Sequence, residues 1–369
     1  MSDRIPLEIQ REIIKRLDVK SVLRFRSVSK TLKSLIDSPN FVASYGSSDR
    51  IQKHVFLTSH TITAWSEYKS FVDDGETLSF GQTVVPLPPK GPDNFEIDRI
   101  IGSSHGLICF KCMYYNKGKH VGMYAIWNPF IRKSVGIEVA PSSLFKVYFG
   151  VCPVTLDPKV VRIITRSKKW LVEIYTLSSG SWRDISNDLL GGPLKISDDH
   201  AVVVTDRTIY WVATDSTKSM GNWLIVAFDL TSEEFKLIEI ANFTAPRQKC
   251  DISKLRDSLV VLKYSLDRDS VTEKVGCEVW MMENVESKTM FKKLYNVKPS
   301  YLTPFGVRGF TKCGTPIFVT GKEHDCWKPD GLNVYELKSG RSTKITKLSK
   351  EELQFDVYNY HDTLLLLDR

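Results

Sequence analysis

A chain of 369 residues, 42% hydrophobic and 25% charged, has the make-up of an ordinary globular protein with room for one large or two ordinary domains, which excludes a disordered tail. No stretch approaches the ~18 consecutive apolar residues of a membrane span, and the N-terminus is charged from Asp3 onward, so an intracellular protein is expected, cytoplasmic and/or nuclear, with no membrane partner. The net charge of +8 is uneven: residues 1–50 carry ten Lys and Arg against six Asp and Glu, half of the excess, yet no DNA or RNA motif surrounds them and nucleic acid is not an expected partner.

The first predicted elements are three short amphipathic helices. Pro6 suits a first helical turn, with Asp3 or Ser2 upstream as cap, and Ile9, Ile13, Ile14 and Leu17 recur at helical spacing. Asp18 interrupts the stripe and reads as the N-cap of a second helix carrying Val19, Val22, Leu23 and Phe25. Val28, Leu32, Leu35 and Ile36 give a third stripe, which Ser38-Pro39-Asn40 closes. Helices this short are marginal alone in water, so the module is expected to dock on something else.

The run from Ile5 to Phe41 resembles the F-box, the adaptor-binding motif of substrate receptors in SCF-type ubiquitin ligases. IPLEI, the spacing to RLDVKSVLRFR and VSKTLKSLI follow the family order, with three departures: Asp18 for a usual proline, Ser27 for a common cysteine and Leu32 for a typical tryptophan. The resemblance implies that Ile5, Pro6, Ile9, Ile13, Leu17, Val22, Leu23, Phe25, Val28 and Leu32 meet a Skp-type adaptor, which joins a cullin and a RING subunit. Leucine in place of tryptophan offers less area to bury, so affinity below the family's average is expected. The family's adaptor is acidic, and the basic N-terminal segment would steer the encounter.

From residue 50 onward short β-rich runs alternate with Gly, Asp, Asn, Ser and Pro. Five segments repeat an aromatic within an apolar strand, then a turn and a second strand: AIWNPFIRKSVGI, VEIYTLSSGSWRDI, IVAFDLTSEEFKLI, CEVWMMENVESKTMFKKL and NVYELKSGRSTKI. Their aromatics, Trp127, Tyr175, Phe228, Trp280 and Tyr335, stand 48, 53, 52 and 55 residues apart, the length of a four-stranded blade with loops. An upstream strand precedes each, at Gly106-Leu107-Ile108, Val160 to Ile164, Ile209 to Val212, Leu259 to Leu262 and Ile317 to Val319, and is expected at the blade's inner edge. A sixth, Thr363 to Leu367, would pair with His54 to Leu57 and Ser70 to Leu87, so that the two ends close one blade.

SHGLICF followed by IWNPFIRK and paired YTLSSGSW and FDLTSEEF units is similar to the plant F-box proteins with an F-box-associated, kelch-like C-terminal domain. The expected fold is mainly β with a small all-α module: a three-helix F-box over residues 1–44, then a β-propeller of six blades over 45–369, with a two-sheet sandwich as the alternative.

Catalytic constellations are scarce in the sequence: there is no phosphate-loop signature and no H-E-x-x-H helix. Seven cysteines, an odd number, point to reduced thiols. Cys109 and Cys112 are spaced C-x-x-C, but on a strand that spacing sets them on opposite faces, which favours packing over a metal or redox pair. Cys313, His324 and Cys326 are separated by a strand and a turn, and His105 before Gly106 reads as a turn residue. No metal and no cofactor are expected, and the chain is read as a non-catalytic receptor that works by proximity. A scaffold with a vestigial F-box, and less favourably a propeller enzyme, are the alternatives. Target contacts are expected in the segments Tyr114 to His120, Asp215 to Trp223, Asp267 to Lys274 and His324 to Asp330, with Tyr114, Tyr115, Trp223, Arg268 and Trp327 as candidates for binding a protein target that the sequence does not identify.

Overall fold

The computed structural model describes residues 5–45, 53–61, 67–73, 78–83, 96–139, 145–164, 170–186, 190, 194–196, 202–215, 217, 222–240, 249–267, 274–285, 288–297, 302–322, 325–347 and 352–366. Four helices, where three were expected, open this part of the chain: α1 (Leu7–Ile14), α2 (Val19–Arg26), α3 (Lys30–Ile36) and α4 (Pro39–Ser44). Pro6 stands just outside α1 as its N-cap, and its carbonyl accepts the Gln10 N–H at 3.0 Å. The alternative caps Ser2 and Asp3 lie outside the described residues. Asp18 and Ser29 cap α2 and α3, accepting the N–H groups of Ser21 and Leu32. The fourth helix exists because Ser38-Pro39 begins a helix as readily as it ends one. Ser38 accepts the Phe41 N–H at 3.3 Å, and Pro39 has no N–H to leave unpaired in the first turn.

The strands begin with β1 (Lys53–Thr61), β2 (Glu67–Asp73) and β3 (Leu78–Thr83) in one sheet. β4 (Glu96–Ser104), β5 (Leu107–Asn116), β6 (Lys119–Asn128) and β7 (Lys133–Val139) form the next. β8 (Lys146–Val151), β9 (Pro158–Ile164), β10 (Leu171–Thr176) and β11 (Ser181–Asp184) follow. Then come β12 (Leu194–Ile196) and β13 (Val203–Val204), both paired with β14 (Thr208–Asp215), and β15 (Asn222–Asp229) and β16 (Phe235–Glu239). β17 (Lys249–Leu255), β18 (Ser258–Asp267), β19 (Lys274–Val285) and β20 (Lys288–Val297) make a further sheet, as do β21 (Leu302–Phe310), β22 (Pro316–Lys322), β23 (Asp325–Glu336) and β24 (Arg341–Lys347). β25 (Glu352–His361) returns to β1, giving the order β25-β1-β2-β3. Among the described residues there are thus six antiparallel sheets, five of consecutive strands and one assembled from both ends, arranged as a β-propeller after the helical module.

Successive sheets bury their faces against one another, so the core is a series of layers. One holds Tyr148, Trp170 and Trp211 between the β8–β11 and β12–β16 sheets, and another holds Ile252, Val261 and Ile225 between the next two. Tyr358 and Tyr360 of β25 pack with Ile108, Phe110 and Trp127, continuing the series across the composite sheet. First strands touch first strands: β4 meets β8 and β25, and β21 meets β17 and β25. The inner edge is therefore the first strand of each sheet, which corrects the expectation that placed the GLI-type strand there. Leu107, Ile108, Cys109 and Phe110 of β5 are all buried because a second strand has neighbours on both sides and a sheet against each face.

A second correction concerns Thr363 to Leu367. The closing strand is β25, and residues 363–366 have left the sheet; residue 367 lies outside the described residues, as do residues 84–87. Past β25, Leu364 packs among the helices, while Leu365 and Leu366 pack in a layer of the propeller.

Candidate functional site

The helical module has one face against its own core and one facing outward. Ile14, Val19, Val22, Ile36, Phe41 and Tyr45 are buried together, with Leu17, Leu23, Leu32 and Leu35 half-buried against them. The Tyr45 hydroxyl donates to the Leu17 carbonyl at 2.8 Å and its ring stacks on Phe41. Asp37 accepts from Arg26 and Lys33, each at 2.5 Å, tying α2 to α3. On the outward side Ile5, Leu7, Ile9, Ile13 and Phe25 are about half exposed and Val28 is 70% exposed. Ile9 and Ile13 lie one turn apart on α1, so their side chains share a surface. Exposed large apolar side chains concentrated on one small module mark a surface suited to a protein partner.

Of the ten residues expected to dock, Ile5, Pro6, Ile9, Ile13, Phe25 and Val28 stand exposed, whereas Leu17, Leu23 and Leu32 are shared between core and surface. Val22 is a correction: it is fully buried and belongs to the module's own core. Leu7 is exposed and was missed, because it falls outside the i, i+4 stripe from which the candidates were read. No described group of His, Cys, Asp and Glu is arranged to hold a metal ion.

The module sits on the propeller through a specific joint. Leu364, fully buried, enters the helical core, as do the partly buried Phe130 and Ile131 from the β6–β7 turn. The asparagine of the IWNP run is the clamp. Asn128 is buried, its Nδ2 donates to the carbonyls of Thr363 (3.0 Å) and Leu365 (2.9 Å), and its Oδ1 accepts from the N–H groups of Phe130 and Ile131. Gly106, with φ +79°, lies so close that a Cβ there would collide with the His361 carbonyl and Thr363. His105 occupies the left-handed region beside it, the turn position expected, and its ring is held below its ordinary pKa first by burial.

Antiparallel alternation then fixes which loops face where. The joint lies at the end where β25 stops and β6 turns into β7. Hairpins joining second to third strands therefore lie at the opposite end of the propeller. Three of the four segments expected to meet a target span such connections, β5–β6, β14–β15 and β18–β19, whereas residues 325–330 of the fourth form the first half of β23. In the first, Lys117 and Gly118 adopt φ of 46° and 81°, the two-residue turn that suits strand twist. Tyr115 beside it is 48% exposed and packs edge-on to His120. Tyr114 is 5% exposed and donates to Glu138 at 2.5 Å, leaving it little surface to offer a partner. Trp223 is partly buried against the layer of Tyr210 and Ile225. Arg268 and His324 lie outside the described residues, as do the side chains of Cys326 and Trp327.

Cys109 and Cys112 are buried in two different layers of the core, as strand alternation requires. Burial holds the Cys109 thiol well above its ordinary pKa and pushes that of Cys112 up to about 12, so neither is poised as a nucleophile.

Comparison with known proteins agrees with this architecture. Residues 2–44 match the F-box domain and residues 71–364 the F-box associated β-propeller domain. An F-box/kelch-repeat protein of Arabidopsis thaliana is 25% identical over 364 residues, spanning 91% of this chain and 86% of its own. An F-box protein of the same plant is 26% identical over 377 residues, spanning 92% and 85%. Among solved structures, the β-propeller domain of the trilobed protease from Pyrococcus furiosus aligns with 69% of this chain and 72% of its own at 14% identity, with a TM-score of 0.40.

Proposed function

Because the chain belongs to the family of F-box proteins with an F-box associated β-propeller domain, we propose that it is a substrate-recognition subunit of an SCF-type ubiquitin ligase, with the module 1–44 binding a Skp-type adaptor and the domain 45–369 holding a protein target. The observation that carries the reading is the set of exposed apolar side chains, Ile5, Leu7, Ile9, Ile13, Phe25 and Val28, on helices whose own core is already packed. Fully burying such side chains gains about 1.5–3 kcal/mol each before association entropy is subtracted. These are half exposed already, so the gain is smaller.

Through the adaptor the receptor would meet a cullin and a RING subunit, in the cytoplasm or nucleus. It performs no chemistry itself: it holds a target lysine near a charged ubiquitin-carrying enzyme and raises the effective concentration. We take the six sheets as six blades, whose rigidity serves this role because the target hairpins and the adaptor face lie at opposite ends of one body. The departures Asp18 and Ser27 leave the helices intact, since Asp18 caps α2 and the Ser27 hydroxyl donates to the Arg24 carbonyl.

Co-expression with a Skp-type adaptor and size-exclusion chromatography test the reading. A one-to-one complex is expected, and the Ile9→Asp, Ile13→Asp double variant should lose it while keeping the wild-type melting profile. Failure of the wild-type chain to bind would make the module vestigial and the propeller a scaffold.

A further inference from the structure

The segment that follows β25 links two parts of the molecule that contiguous sequence would keep apart. β25 closes the propeller by pairing along β1 from Lys53↔His361 to Thr61↔Glu352. Three residues after β25 ends, the same chain has inserted Leu364 among Ile14, Val19, Val22, Ile36 and Phe41 of the helices, while Leu365 and Leu366 join Leu107, Phe149 and Val151 on the propeller side. Val42 of α4 touches both groups. Asn128 holds the carbonyls on either side of Leu364, so this side chain is presented at a fixed height and angle. The helical core is thus completed by a residue supplied from the closing blade.

We propose that residues 362–366 couple ring closure to the docking module, so that an intact closing blade stabilises helices α1 to α4 and occupation of the docking face stabilises the closing blade in return. Reciprocity is a thermodynamic requirement: if β25 in place favours the ordered helices, a ligand of the ordered helices must favour β25 in place. The second half of the proposal rests on the adaptor reading; the first does not.

Hydrogen exchange on the full chain, followed by mass spectrometry, separates the two. Asn128→Ala removes a group whose four hydrogen bonds all lie within the propeller and the segment, yet it should speed exchange in α2 and α4 about tenfold, the size expected on losing the two that hold the segment's carbonyls. Leu364→Ala perturbs the joint from the helical side and should speed exchange in β25 and β1. Saturating Skp-type adaptor should slow β25 exchange in the wild type and leave it unchanged in Leu364→Ala. The proposal is overturned if Asn128→Ala alters only propeller amides, or if Leu364→Ala alters only helical ones. Should the wild-type chain bind no adaptor, the receptor reading fails, and the exchange pattern of the two variants still decides the coupling.

Discussion

Asp18 holds the Ser21 N–H and hydroxyl at 2.9 Å each, and these two bonds keep its carboxyl below the usual range. As the N-cap of α2 it should contribute about 1 kcal/mol; Asp18→Ala is expected to lower the thermal midpoint accordingly, and an unchanged midpoint would show that packing alone sets the start of α2. Across the joint stands Asp362, whose carboxyl is pushed up from an ordinary 3.8 to about 6, first by burial and then by the charge of Asp18. Tyr45 faces both carboxylates, and its hydroxyl is driven upward by burial and by them. The unfolded chain releases the Asp362 proton near pH 4, whereas the folded chain keeps it to about pH 6. Between these values the folded state binds more protons, so stability falls as pH rises, and above pH 6 a constant deficit remains of about 2–3 kcal/mol. Asp362→Asn should remove the deficit, raising the midpoint at pH 7.5 and changing it little at pH 4. Equal effects at both pH values would mean that the carboxyl ionises normally in the fold.

Among the elements, α1 and α2 show what a periodic stripe can and cannot reveal. Ile13 and Val22 both occupy apolar positions of amphipathic helices, yet Ile13 is half exposed and Val22 fully buried. Ile13→Asp is expected to leave circular dichroism and the melting curve unchanged. Val22→Asp, which places an unpaired carboxylate in the module's core, should unfold the helices outright. A stripe in the sequence marks a face that wants covering and is silent on whether the cover is the protein itself or a partner. The caps at Asp18, the turn at His105-Gly106 and the opposite-facing cysteines were legible because each depends on neighbours within a few residues. The blade repeat was legible because it recurs five times. The role of Asn128 was not, since its partners Thr363 and Leu365 lie 235 and 237 residues away. α4 was missed for a different reason, because Ser-Pro-Asn is local chemistry that starts helices as well as stopping them.

At the level of the whole molecule, charge and topology together separate the steps of assembly. Half of the net charge of +8 lies in residues 1–50, and the module that carries it sits at the end of the propeller opposite the β5–β6 hairpin. Attraction to an acidic adaptor, which the proposed function implies, would act over distances comparable with the Debye length, about 10 Å at 0.1 M salt, so it would bear on encounter at the helical end and hardly reach the far hairpins. On the proposed function, short-range apolar contacts at Ile9, Ile13 and Phe25 would take over once the surfaces meet, and these depend little on salt. The association rate with a Skp-type adaptor should therefore fall about tenfold between 50 and 500 mM salt while the dissociation rate stays nearly constant, as surface-plasmon measurements would record. Tyr115→Ala at the distant hairpin should shift neither rate, whereas Phe25→Ala should speed dissociation without altering the salt slope. A salt-independent association rate would place the adaptor's acidic surface away from the basic segment, and an effect of Tyr115→Ala on either rate would place the two ends of the propeller in communication or the adaptor on the wrong one.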